Sequence, residues 1–288
     1  MWLTTCYTIP MIGLLLALAA TFFTETQDSI GKRTVEDGRQ SIYTMGFLSL
    51  FWGFLFFLGI IIFIRKEFLF SLASLPTFIP RAILEVALAH VSMLAIIRSD
   101  RSTFGLIRIG TIPLLLAVDM TLGYSVSGFA LLGIGLLVAA LLFVFWSRAI
   151  GKAGIDYVLF TAVAAAATLS LFKWNITHYN ALEAEQIVII GILAAYFFLM
   201  SRVVAKENPL AFLLKPLFLF QSLSAGLGEV LMSFAYLFGA ASVITAAKRA
   251  LSVLFAILSG HIYFKEKRLA VKLALFLFLA VGLLLLTR

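Results

Sequence analysis

Apolar stretches about one bilayer thickness long recur down the whole chain, separated by short polar gaps. They fall at about 9–24, 42–64, 78–97, 103–121 and 125–146, then at about 155–172, 184–201, 217–238, 242–264 and 269–286. A hydrocarbon core takes about 20 residues of helix, and only helix satisfies its own backbone polar groups over such a length. Strands of a barrel would be about ten residues long with a two-residue alternation, which these runs lack. The pattern predicts an all-α polytopic membrane protein of ten transmembrane helices, with gaps short enough to make consecutive helices antiparallel neighbours. Gly151, Lys152, Gly154 and Asp156 separate the fifth run from the sixth, and Asn208 with Pro209 breaks the chain before the eighth. One integral membrane domain is expected, in two five-helix halves at 1–150 and 151–288.

Composition agrees. Apolar residues make up 62% of the chain and charged residues 12%, with a mean hydropathy of +1.09, so water is not its main solvent. The net charge of +8 does not point to nucleic acid, because the Lys and Arg residues sit in the gaps rather than on one patch. Counted alternately, one set of gaps carries Lys32, Arg33, Arg39, Arg98, Arg101, Arg148, Lys152, Arg202, Lys206, Lys215, Lys265, Lys267 and Arg268. The other set has Arg65, Lys66, Lys173 and Arg288. The positive-inside rule makes the first set cytoplasmic and puts both termini outside, in a cell (inner or plasma) membrane. A single cysteine, Cys6, leaves no disulfide framework and no multi-thiolate metal site, and no cofactor is expected. The first run lacks a basic leader and nine more follow it, so it is expected to be kept rather than cleaved.

Sliding the second half back by 140 residues lays Lys248 on Arg108 and Phe264 on Tyr124. Halves with an odd number of spans must cross in opposite directions, which predicts two inverted five-helix repeats. The segment from Ser233 to Leu286 resembles the C-terminal repeat of EamA-type members of the drug/metabolite transporter superfamily. It has a small-residue loop, a polar-faced span, an aromatic and acidic turn at Phe264, Lys265, Glu266, Lys267 and Arg268, and a closing apolar helix. Lys265 stands where that family usually has glycine. The first half is similar more loosely, with Pro113 at the family's usual proline and no acid in Tyr124, Ser125, Val126 or Ser127. The resemblance implies a central cavity lined mainly by the third, fourth, eighth and ninth helices, and alternating access. It also implies cytoplasmic termini, against the charge count.

A charge at the bilayer centre costs about 2.5–3.5 kcal/mol on insertion scales, so ionisable residues inside the runs carry the most information. In the ninth run Thr245, Arg249, Ser252, Ala256 and Ser259 form a small polar face with Lys248 on its flank. In the eighth, Ser222, Gly226, Glu229, Ser233 and Tyr236 do the same. Glu229 and Lys248 lie at similar depth, able either to align helices as an ion pair or to hold opposite ends of a solute. In the first half His90 and Arg108 share a depth, with His90 one residue from the mirror of Glu229. His90, Arg108, Glu229, Lys248, Arg249, Ser252, Tyr236 and Thr245 are therefore the expected substrate site, with Glu85, Glu25, Asp28 and Ser233 around it. His90 has a plain alternative as a structural hydrogen-bonding residue or a proton carrier. Glu85 follows Arg81 by four residues, the spacing of an intrahelical ion pair. Thr21, Thr24, Glu25, Asp28 and Lys32 make one stripe, either a helix continued past its apolar run or a solvated loop. The resemblance favours the helix, with Glu25 and Asp28 toward the cavity mouth. Asp119 is expected to reach interfacial water. Lys173, Asn175, His178 and Asn180 are expected in a solvated connection, and Trp2, Trp52, Trp146 and Trp174 as interface anchors.

Together these features predict a secondary transporter of a small polar or zwitterionic metabolite, such as an amino acid or a nucleotide-linked metabolite, working as a monomer or homodimer in the lipid bilayer. A membrane scaffold or assembly subunit is the alternative. An intramembrane enzyme would need metal-spaced histidines, paired aspartates or an activated serine. His90, His178 and His261 are instead scattered, and there is no H-E-x-x-H and no metal site.

Overall fold

A computed structural model describes residues 3–121, 153–235, 241–267 and 269–286, with scattered positions between 128 and 142 and Phe238. Those residues form helices joined by short turns, with no strand among them. The helices are α1 (Leu3–Glu36), α2 (Ile42–Gly59, continued by a π-helical turn at Ile60–Arg65), α3 (Leu75–Arg98), α4 (Arg101–Arg108) and α5 (Thr111–Thr121). Then follow α6 (Ile155–His178), α7 (Leu182–Val203), α8 (Pro216–Ala235), α9 (Ala241–Ile262) and α10 (Leu269–Leu286). Among the described residues, five segments are long and apolar enough to cross a bilayer: Ile42–Arg65, Leu72–Arg98, Ile155–His178, Leu182–Val203 and Pro216–Ala235. Most of the fifth apolar run lies outside the described residues, as do Tyr236, Trp2, Trp146 and the side chain of Asp119.

The distribution of side chains is inside-out. Leu15, Phe63, Ile83, Val163, Leu199 and Leu277 are exposed, Phe63 at 78% of its surface, while Glu25, Asp28, Arg81, Arg101, Glu185 and Arg249 are buried. In water such a surface would drive aggregation; against lipid chains it is at rest, as an integral multi-pass membrane protein requires.

Contacts between turns set the order of the bundle. At one end Glu207 accepts from the Ser41 N–H (3.1 Å) and hydroxyl (2.7 Å), while Ser41 caps α2 by accepting from the Thr44 N–H. Lys32 reaches from α1 to the open carbonyls at the end of α3, donating to Ile96 (3.2 Å) and Ser99 (2.5 Å). Glu266 meets the start of α4 at that same end. At the other end Arg65 pairs with Glu183 (2.8 Å), and the Ala181 N–H donates to Leu69 (3.0 Å). Among the described residues, the turns after α1, α3, α7 and α9 thus meet at one end and those after α2 and α6 at the other.

Packing runs across the halves. α1 lies along α8, α3 along α6, and α2 between α7 and α8, while α9 touches α1, α4 and α10. Glycine permits the closest approaches. A Cβ at Gly226 of α8 would lie 2.5 Å from the Trp52 Cβ and 2.8 Å from the Gly53 nitrogen on α2; one at Gly228 would meet the Thr24 hydroxyl of α1 at 2.7 Å.

Of the two alternatives for the end of the first run, the structure has the continued helix, which reaches Glu36 because Glu25, Asp28 and Lys32 find partners inside the bundle. Several expectations need correcting. The fourth run is not one helix: α4 stops at Arg108 and α5 starts at Thr111, two residues before Pro113, whose ring and missing N–H disfavour an unbroken ladder. Lys173 to Asn180 is an exposed connection only in part: Lys173 and His178 are exposed, whereas Asn175 and Asn180 turn inward. α6 continues to His178, and Asn175 and Asn180 are buried because the Glu185 carboxylate accepts from both. Trp52 is no interface anchor, since its indole N–H is buried, with no hydrogen-bond partner among the described residues.

Candidate functional site

The site grows from the end of α1. Glu25 and Asp28 are three residues apart and so share a face. Both turn inward to the Arg101 guanidinium, which is 0% exposed: one terminal nitrogen bonds Glu25 and lies 3.4 Å from Asp28. Ser252 of α9 donates to the other Glu25 oxygen at 2.5 Å. Arg101 opens α4, and its N–H donates to Glu266 (2.7 Å), which also accepts from the Ser102 hydroxyl and from Lys272 at 2.8 Å. α1, α4, α9 and α10 are tied through Arg101 and Glu266.

One helical layer deeper the charges are less fully paired. Arg108, at the last turn of α4, stacks its guanidinium 4.9 Å from the Phe104 ring centre, and its Nε has no hydrogen-bond partner among the described residues. It lies within electrostatic reach of Asp28, Glu25, Arg101 and Glu85. Lys248 of α9 is within reach of Arg249, Glu229, Arg108 and Asp28. Glu229 of α8 packs its Cγ 3.6 Å from where a Cβ of Gly53 would stand. Thr245 and Arg249 are buried on α9 and Ser233 on α8.

Glu85, Arg108 and Lys248 lie deep among the helices, yet each keeps some accessible surface, as do Glu229 and Ser252. Together these side chains offer cations to an anionic group and carboxylates to an ammonium group. Among the described residues no cluster of three or more His, Cys, Asp and Glu side chains is placed to hold a metal ion. A separate groove of about 440 Å³ between α2 and α8 is lined by apolar residues including Leu55, Phe56, Ile60, Leu227 and Val230, the chemistry of lipid chains rather than of a polar solute.

The structure thus brings together Glu25, Asp28, Glu85, Arg108, Glu229, Lys248, Arg249 and Ser252 of the expected site. His90 is not with them. Its Nδ1 is 2.7 Å from the Tyr196 hydroxyl of α7, and its ring lies 5.8 Å from that of Tyr43. Five residues along α3 from Glu85 is about 140° around the helix, which turns His90 toward α2 and α7. Arg81 also differs: it pairs with Glu185 across the bundle and not with Glu85 one turn on. Sequence reasoning missed Arg101 altogether, treating it as a topology charge. The signal available was the Glu25 and Asp28 stripe, since two acids on a buried face demand a cation.

Glu266 yields a pH prediction. Burial alone would raise its pKa, but the bonds from Lys272 and Ser102, the Lys272 charge and the Arg101 N–H together hold it below the ordinary value of 4.5. A depressed carboxyl stabilises the fold above its unfolded pKa and loses that contribution as pH falls through the folded value. The melting temperature of the detergent-purified chain is expected to drop on acidification below about 4.5, and the drop to be smaller in Glu266→Gln. Parallel curves for the two proteins would remove Glu266 as the latch.

The chain matches no family model and no curated protein.

Proposed function

We propose that this chain is a secondary transporter moving a small polar or zwitterionic metabolite across the cell membrane by alternating access through a central cavity. Carrying the reading is the gathering of Glu85, Arg108, Glu229 and Lys248, from four different helices, within electrostatic reach of one another and none of them fully enclosed. Charges are tolerated in a membrane interior when they border water or a polar ligand, and a solute passage supplies both. The Arg101 cluster taken alone would suit a static assembly subunit equally well; the partly accessible cations beside it favour transport.

We read the architecture as ten spans in two inverted repeats, resembling EamA-type carriers. The packing supports this, because the register of 140 residues exchanges the α1–α8 contact with α6–α3, and α1–α9 with α6 against α4 and α5. Lys66 and Lys206, one register apart, both take left-handed φ angles, of 59° and 58°, beyond the ends of α2 and α7. A broken helix such as α4–α5 at mid-bundle is common where carriers bind their solutes.

The test is uptake. Amino acids and nucleotide sugars that raise the melting temperature of the pure protein are radiolabelled and offered to liposomes containing it. Arg249→Ala, Glu229→Gln and Lys248→Gln are expected to reduce flux to that of empty liposomes while melting as folded proteins. Wild-type flux in Arg249→Ala would take that residue out of the site, and wild-type flux in all three would end the carrier reading.

A further inference from the structure

We propose that Glu85 is a proton-binding site, and that it makes the carrier a symporter of one proton with one anionic solute. The inference rests on the transporter reading and concerns the substrate class and coupling of that same site.

Its starting point is the partner Glu85 lacks. Arg81, the cation one turn away, has its guanidinium bonded to Glu185 and stacked 4.6 Å from the Phe172 ring centre. Thr168 of α6 lies beside Glu85, and the Glu85 Oε2 is buried without any hydrogen-bond partner among the described residues. The charged groups facing it are Arg81 on its own helix, Arg108 from α4 and Glu229 from α8. A buried carboxylate oxygen with no donor is strongly disfavoured, and the Glu229 carboxylate adds repulsion. One proton on Oε2 relieves both. Glu25 and Asp28 differ in that both hold a cation, Arg101.

Charge then decides what travels with the proton. The cluster around Arg108 sets Arg101, Arg108, Lys248 and Arg249 against Glu25, Asp28, Glu85 and Glu229, four cations and four carboxylates. The neighbouring Arg81–Glu185, Lys272–Glu266 and Lys32–Glu36 pairs are each neutral. With Glu85 protonated the cluster carries one excess positive charge, and a low-dielectric interior favours one negative charge to cancel it. Arg108 and Lys248 supply the cations to receive a carboxylate. The Glu85 carboxylate takes a proton on one side of the membrane as the anion binds, and releases it on the other as the anion leaves. No other bond changes, and no net charge crosses.

The experiment uses the full chain in detergent, with lactate and glycolate as probes because both keep a single negative charge between about pH 5 and pH 8. Infrared difference spectra between acid and neutral solution are expected to contain a protonated-carboxyl stretch that is absent in Glu85→Gln. Probe binding by thermal shift is expected to weaken about tenfold or more as pH rises in the wild type. In Glu85→Gln, whose amide mimics the protonated acid, it is expected to stay at the acid-side level throughout. A carboxyl band that survives in Glu85→Gln overturns the proton site, and probe binding that keeps its pH dependence there, or is absent at every pH, overturns the symport. A chain that shows the band and binds the probes but carries no solute in liposomes overturns the transporter reading instead.

Discussion

Arg101→Met is expected to cost about 3–5 kcal/mol of folding stability, because it removes the shared partner of two buried carboxylates while keeping most of the side-chain volume. Arg101 has no exposed surface and touches both Glu25 and Asp28. Taking away one member of a buried ion cluster leaves the others desolvated and uncompensated, which costs far more than the cluster contributes when intact. The measurement is denaturant or thermal unfolding in detergent. Adding Glu25→Gln and Asp28→Asn to the Arg101→Met variant is expected to recover part of the loss, since the orphaned charges go with their carboxylates. A loss within about 0.5 kcal/mol, the range of ordinary surface substitutions, would mean that the cluster does not hold α1 to α4.

Helix was legible in the sequence because the lipid solvent leaves so few alternatives. The runs at 42–64, 184–201 and 217–238 became α2, α7 and α8 with ends displaced by a few residues. Partner choice was far less legible. The four-residue spacing of Arg81 and Glu85 made a pair available, but Glu185, more than a hundred residues away, presents its carboxylate at 2.5 Å and takes the guanidinium. Arg101 looked like a loop charge because it lies between two apolar runs, and only the inward turn of Glu25 and Asp28 on α1 makes it interior. His90 was placed by depth alone, and depth says nothing about rotation about the helix axis. The Glu229 and Lys248 neighbourhood was foreseen, because a turn of a few residues between α8 and α9 fixes depth on both sides.

Gly226 carries the second large effect. Without a hydrophobic drive between helices in lipid, association rests on close packing, and small residues set how near two backbones can come. A Cβ at Gly226 would meet the Trp52 Cβ at 2.5 Å and backbone atoms of Trp52 and Gly53 at 2.8 Å. Backbone cannot swing aside as a side chain can, so α2 and α8 must part. Gly226→Ala is expected to cost about 1–3 kcal/mol, as overpacking does, and Gly226→Leu more. Moving α8 also moves Glu229, which packs beside Gly53, so solute flux is expected to fall more steeply than stability. Gly59→Ala on α2 is the control: a Cβ there meets nothing within 4 Å, and its effect is expected to stay within about 0.5 kcal/mol. Melting temperatures of the two alanine variants side by side decide the matter. If Gly226→Ala melts with Gly59→Ala, the close approach is not what seats α8 on α2, and the position of Glu229 must be held from α1 and α9 instead.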